Sequence, residues 1–250
     1  MQEDYFEHYT EQSRAQIELI KCRYEFGLNR AEFLLSQEDE ISKLTWIDIG
    51  SNLGLGVSTI SPDTNIIATD LDKRYLESFA DPLVSKVNLD ARYLPFPSKS
   101  SDIISCFETI EHIPMTEIGR MLVEIHRVLK DDGILLISTP NREANGKAKM
   151  SPDHKQEFTY TEFHMLLNSY GYMVEEEYGQ NFLKENNILH QAFRSLRENF
   201  FVRNIYNRLP HFIIRTVRNT SINAFGEGEV RKRHDREIER IMYFVCRKFD

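Results

Sequence analysis

Two carboxylates and an imidazole follow one apolar run closely. In Phe107-Glu108-Thr109-Ile110-Glu111-His112, the groups Glu108, Glu111 and His112 stand at i, i+3 and i+4. A helical turn starting at Glu108 would turn all three to one side. His154, in the polar stretch His154-Lys155-Gln156-Glu157-Phe158-Thr159, can bring a second imidazole from a later loop. Such a set suits Mg2+ or another divalent cation. Without a cation, His112 or His154 is the candidate general base, because an imidazole titrates near neutrality. The residues alone leave these readings open.

A second group of residues is spaced to hold a nucleoside. Thr45 to Gly56 reads TWIDIGSNLGLG, an apolar run that contains Asp48 and breaks into Gly50, Gly54 and Gly56. Glycine admits positive φ and lets a ligand lie against the backbone. Asp70 ends the next apolar run, where a carboxylate can accept from both hydroxyls of a ribose. Asp90 closes a third run, beside the small Ala91, and can accept from an exocyclic amine. Each acid taken alone is better read as a helix cap or turn former, because Asp favours those places. Three successive strand ends built this way point to a ligand.

The elements that must position these groups alternate regularly. Strands are expected at Trp46–Ile49, Ile66–Thr69, Val84–Leu89, Ile103–Phe107, Ile134–Ser138 and Tyr172–Glu176, with a last one at Ile241–Cys246. Helices are expected after the glycine turn, over Lys73–Phe79, over Thr116–Leu129 with Gly133 as its C′ residue, and over Thr159–Tyr170. This order predicts an α/β fold, a Rossmann-like seven-stranded and mostly parallel sheet with helices on both faces. Residues 1–40 read as an N-terminal helical cap that packs on the sheet or lids the site. Residues 41–179 and 240–250 form the core. Residues 180–239 form a basic, aromatic helical insertion before the last strand.

The chain has 250 residues, 41% hydrophobic and 28% charged, enough for a full core without staples. A net charge of −8 argues against general nucleic-acid binding. Three distant cysteines, Cys22, Cys106 and Cys246, suggest reduced thiols and a cytoplasmic setting. The polar, acidic N-terminus does not resemble a signal peptide, and no apolar run reaches the ~18 residues of a membrane span. Between Gln191 and Thr220, six arginines face one glutamate among many aromatic and aliphatic residues. That stretch reads as a cover over the sheet edge, as a lobe for a phosphorylated or saccharide substrate, or as a peripheral contact with membrane or RNA.

Taken in order, DIGSNLG at 48–54, ATDLD at 68–72, NLDARYLPFPSKSSDIISCFETIEHI at 88–113 and RVLKDDGILLISTPN at 127–141 resemble the motifs of the class I S-adenosylmethionine-dependent methyltransferases. The resemblance spans about residues 45–177 and the last strand. It implies a cofactor site made by Asp48, Gly50, Ser51, Asn52, Gly54, Asp70, Leu71, Asp90, Ala91 and Phe107. Gly50 to Gly54 would approach the amino-acid end, Asp70 the ribose, and Asp90 with Ala91 the adenine. Asn52 replaces a frequent family glycine, and asparagine tolerates the left-handed geometry. The E-x-x-E-H set with its later histidine is similar to that of the ubiquinone-pathway O-methyltransferases and the small-RNA 3′-terminal 2′-O-methyltransferases. In those groups the matching residues bind a metal. The resemblance implies methyl transfer to a hydroxyl of a small molecule or glycan precursor, with an RNA terminus as the alternative acceptor. A cofactor-binding regulatory subunit without catalysis is the alternative from another class.

Overall fold

The structure is a computed structural model that describes residues 14–35, 44–60, 64–79, 81–145, 151–183, 230–232 and 238–249. Its elements run α1 (Arg14–Leu35), β1 (Thr45–Ile49), a 3-10 turn (Val57–Thr59), β2 (Asn65–Asp70), α2 (Lys73–Ser78) and β3 (Ser85–Asn88). There follow β4 (Ser101–Phe107), a second 3-10 turn (Ile110–His112), α3 (Met115–Val128), β5 (Leu129–Pro140) and α4 (Arg142–Asn145). The chain ends with α5 (Tyr160–Ser169), β6 (Tyr172–Leu183), β7 (Arg231–Lys232) and β8 (Ile238–Lys248). The basic, aromatic stretch 191–220 lies outside the described residues.

The strands form one sheet in the order β3-β2-β1-β4-β5-β8-β6-β7. The pairs from β3 across to β5 are parallel, and β8 runs antiparallel between β5 and β6. Apart from the two-residue β7, this is the expected seven-stranded, mostly parallel sheet. Its central strands are buried on both faces, as their near-continuous apolar runs require. Alternation divides them between two cores. Ile47, Ile104, Leu135 and Phe244 face one side, while Trp46, Ile103, Leu136 and Tyr243 face the other.

The first core is sealed by α3, whose Ile118, Met121, Leu122, Ile125 and Val128 repeat at helical spacing and are fully buried. Phe163 and Leu167 of α5 close the same side. A capping box starts α5: Thr159 accepts from the Glu162 backbone, and the Glu162 side chain accepts from the Thr159 N–H. The second core is covered by α1. Its Tyr24 and Ala31 are buried there, and a Cβ at Gly27 would press on the Tyr243 hydroxyl and Leu136. Of the N-terminal segment, α1 packs on the sheet, and its Ile20, Arg23 and Tyr24 line a cavity at the carboxyl ends of the strands.

Two expected elements differ. No α-helix follows the glycine turn; residues 51–60 make turns and the short 3-10 segment. Three glycines in seven residues weaken helix formation there, and the backbone bonds of the segment are spent in turns such as Gly54 N–H to Ser51 O. Gly133 is not a C′ residue either. The chain leaves α3 straight into β5, where Leu129 pairs with Ser101, and Gly133 sits inside the strand beside a register shift.

Candidate functional site

The site is assembled at the carboxyl ends of β1, β4 and β5, where an open α/β sheet leaves a crevice. Gly50 takes φ +77° and Asn52 φ +49°, so the chain reverses immediately after β1. The Gly50 and Ser51 amides both donate to the Thr69 carbonyl at 2.9 Å, which ties the turn to β2. Ser51 Oγ accepts from the Thr69 amide at 3.0 Å. A Cβ on Gly50 would collide with the Thr109 side chain, so this position requires glycine for its space as well as its φ.

The acids expected at the cofactor fall into three situations. Asp48 is fully buried beneath the turn, and its carboxylate accepts from the Tyr24 hydroxyl and from Ser105. Burial pushes its pKa up to about 6 despite those donors. Asp70 accepts from the Asn52 amide through Oδ2 and from the Asp72 amide through Oδ1, both at 2.9 Å. Burial raises its pKa too. These two bonds make Asp70 a clasp for the glycine turn, and a carboxylate with about four acceptor sites keeps capacity for ribose hydroxyls. Beside it, Leu71 is 71% exposed, an apolar surface next to the acid. Asp90 is paired with Arg92, whose guanidinium and amide hold its carboxyl below the usual range. Ala91 is half-buried against the first core.

The second group comes from the turn after β4. Glu108 stands at φ +49°, and the 3-10 turn that follows replaces the expected helical turn. This separates the two glutamates. Glu108 accepts from Ser138 Oγ at 2.9 Å, and its Oε1 lies 3.7 Å from Arg23 Nη1. Glu111 is 1% exposed and accepts from Thr139 Oγ1 at 3.1 Å. Burial, reinforced by Glu108, drives the Glu111 pKa well upward. Ser138 and Thr139 are adjacent in β5, so alternation along one strand aims the two acids differently.

His112 and His154 meet as the sequence suggested, with ring centroids 5.0 Å apart and planes near perpendicular. The loop carrying His154 is stitched to the 3-10 turn: the Lys155 amide donates to the Glu111 carbonyl at 2.8 Å. His112 Nδ1 lies 3.1 Å from the Asp153 carbonyl, which can only accept. His154 Nδ1 lies 2.8 Å from Glu157 Oε1. Both contacts put the proton on Nδ1 and make Nε2 the basic atom. Burial lowers the His112 pKa, which keeps that imidazole neutral near pH 7. One atom each from Glu111, His112 and His154 lie within 4.8 Å of one another. Among the described residues, Glu108 stands outside this cluster.

One cavity of about 240 Å³ joins the two groups. Gly50 to Leu53, Leu55 and Gly56 line one side; Phe107, Glu108, Glu111, His112, Pro140 and His154 line the other. Ile20, Arg23 and Tyr24 of α1 complete it. These three were missed in the sequence. Their signal was present, since Arg23 lies three residues after Ile20 on the apolar stripe of a helix, where a solvated arginine does not belong.

The comparisons with known proteins agree with this geometry. Residues 47–137 match the protein family described as a methyltransferase domain. Over 89 residues the chain is 34% identical to a protein of Mycolicibacterium smegmatis named a probable S-adenosylmethionine-dependent methyltransferase, covering 34% of each chain. Over 133 residues it is 29% identical to one of Mycobacterium tuberculosis bearing the same description, covering 51% of this chain and 48% of that one. The matches thus span about a third to a half of the curated relatives' lengths. The crystal structure of a SAM-dependent methyltransferase from Archaeoglobus fulgidus superposes with a TM-score of 0.64 at 16% identity, covering 98% of this chain and 100% of that chain. At that identity the likeness shows the fold. Residues 47–137 thus match a methyltransferase domain, and the chain has the fold of a SAM-dependent methyltransferase.

Proposed function

We propose that the chain transfers the methyl group of S-adenosylmethionine to a hydroxyl oxygen of a small molecule or glycan precursor. One observation carries this reading: a single cavity is lined both by the glycine turn and by Glu111, His112 and His154. The residues suit the cofactor. Gly50 offers backbone with no Cβ, Asp70 keeps acceptor capacity, and the exposed Leu71 supplies an apolar surface beside it. The sulfonium supplies an activated methyl, so the protein must orient the acceptor and take its proton. Nε2 of His154 or His112 is the atom available for that proton. Tritiated-methyl transfer to a panel of hydroxylated acceptors tests the reading. Activity that survives a His112→Ala/His154→Ala double substitution would sink the proposed proton transfer, and no cofactor binding in calorimetry would sink the whole reading.

The tight grouping of Glu111, His112 and His154 favours a second version, in which a divalent cation joins them. Two histidines with Nδ1 held by a carbonyl and a carboxylate resemble metal ligands oriented by their outer partners. A cation there would draw the proton from Glu111 and hold the acceptor oxygen. Activity lost in chelator and restored by Mg2+ supports this version; full activity in chelator removes it. Among the described residues no helix is long and apolar enough to cross a membrane.

A further inference from the structure

The cavity contains a cation to which the proton transfer described above gives no role. Arg23 stands in the middle of α1 with its side chain only 7% exposed, yet it lines the cavity. Its Nε donates to Gln180 Oε1 at 3.0 Å. Gln180 in turn donates to the Leu19 carbonyl at 2.9 Å, so the plane of the guanidinium is fixed from behind. At the front, Nη1 is 3.7 Å from Glu108 Oε1. That separation gives charge attraction but exceeds hydrogen-bond reach. Among the described residues the terminal N–H groups of Arg23 have no hydrogen-bond acceptor. The rest of the guanidinium is shielded from water, and its terminal N–H groups keep access to the cavity, where oxygens of a ligand can meet them.

The neighbours of Arg23 say which ligand. Glu108 follows β4, its partner Ser138 belongs to β5, and Gln180 belongs to β6. These strands form the half of the sheet away from Asp70 and Asp90, which end or follow β2 and β3. The fork therefore faces the acceptor's side of the cavity. Ile20, Phe107 and Pro140 line the same cavity and offer an apolar wall.

We infer that Arg23 anchors an anionic group, a carboxylate or a phosphate, on the methyl acceptor. The inference rests on the methyltransferase reading and narrows its substrate to a small hydroxylated acid with an apolar body. The guanidinium presents two parallel N–H groups to two oxygens of the anion, a geometry lysine cannot copy.

The test uses the full chain saturated with S-adenosylhomocysteine and titrated by calorimetry with salicylate and, separately, inorganic phosphate. The cofactor's own carboxylate is the competing source of an anion. Binding of S-adenosylhomocysteine is therefore compared with that of methylthioadenosine, which lacks the amino-acid end. Arg23→Gln is expected to weaken whichever anion binds by about tenfold or more, and Arg23→Lys by less. Both variants should bind S-adenosylhomocysteine and methylthioadenosine within about threefold of the parent. Gln180→Ala keeps the charge but frees the fork, and should cost the anion about two- to fivefold; it decides the matter if Arg23→Gln unfolds. Loss of S-adenosylhomocysteine affinity with methylthioadenosine unchanged would give Arg23 to the cofactor and overturn the inference. Failure of the parent to bind either anion, or equal binding by all variants, would overturn it as well. Failure of the parent to bind S-adenosylhomocysteine would instead overturn the methyltransferase reading.

Discussion

The Tyr24 hydroxyl of α1 donates to both carboxylate oxygens of Asp48 in β1, at 3.0 and 2.9 Å, inside a fully buried contact. This bond joins the N-terminal helix to the strand that launches the glycine turn. The Tyr24 ring also stands edge-on to Phe107 at 4.8 Å and fills the space that a side chain at Gly56 would need. Tyr24→Phe keeps the ring and removes only the donor. The expected cost is ~2 kcal/mol at pH 7, the range for a hydrogen bond to a charged group. Urea denaturation at constant slope measures it, and a change below ~0.5 kcal/mol would show that the bond is not a fastener.

Stability should also depend on pH through Asp48. Its folded pKa is about 6 against an ordinary value of 3.8. The folded chain therefore binds this proton more tightly than the unfolded chain. The group favours folding fully below pH ~4, and that contribution disappears as pH rises through 6. The difference of about two pKa units corresponds to ~3 kcal/mol. Asp48→Asn removes the titration, so the parent-minus-variant stability difference should fall by about that amount between pH 4 and pH 7. A difference that stays flat over this range would show that the carboxyl titrates normally.

Much of this arrangement was legible in the chain, for identifiable reasons. The apolar runs are a local pattern, and their alternation with helices implies a mostly parallel sheet, while the strand order and the division of Trp46 from Ile47 between two cores come from the structure. His112 and His154 could be paired because both fall in loops after neighbouring strands. The geometry after β4 was not legible. Glu108 and Glu111 suggest a helical turn by spacing, but φ +49° at Glu108 and the bond from Ser138 turn the first acid away. The missing helix after Gly56 has another origin: the three glycines weaken it, and the amides there bond locally, as Ser58 N–H to Gly54 O and Thr59 N–H to Gly56 O. Asp90 reads as a ligand acid, while Arg92, two residues on, already holds its carboxylate.

The glycine turn gives a prediction that separates strain from collision. Gly50→Ala meets both a φ of +77° and the Thr109 side chain. It should cost ~2–3 kcal/mol of stability and abolish cofactor binding. Thr109→Ala should make room without relieving the backbone. The double variant is expected to recover part of the loss and to retain ~1 kcal/mol of strain. Calorimetry and denaturation of the four proteins form a double-mutant cycle. Simple additivity would mean that Thr109 does not confine the turn.

His154 owes its orientation to Glu157, whose side chain is buried and whose Oε1 lies 2.8 Å from Nδ1. Glu157→Ala removes the group that keeps the proton on Nδ1 and Nε2 turned to the cavity. The catalytic rate should fall by about 10- to 100-fold, the usual effect of losing an outer partner of a functional histidine. Affinity for S-adenosylhomocysteine should stay within about threefold, because the glycine turn and Asp70 are untouched. Glu157→Gln offers an amide oxygen to the same N–H and should restore much of the rate. The split between rate and cofactor affinity is the decisive reading. If both fall together, Glu157 serves the loop that carries His154 rather than the orientation of its imidazole. If Gln is no better than Ala, the carboxylate's charge, and not only its acceptor oxygen, sets the work of His154.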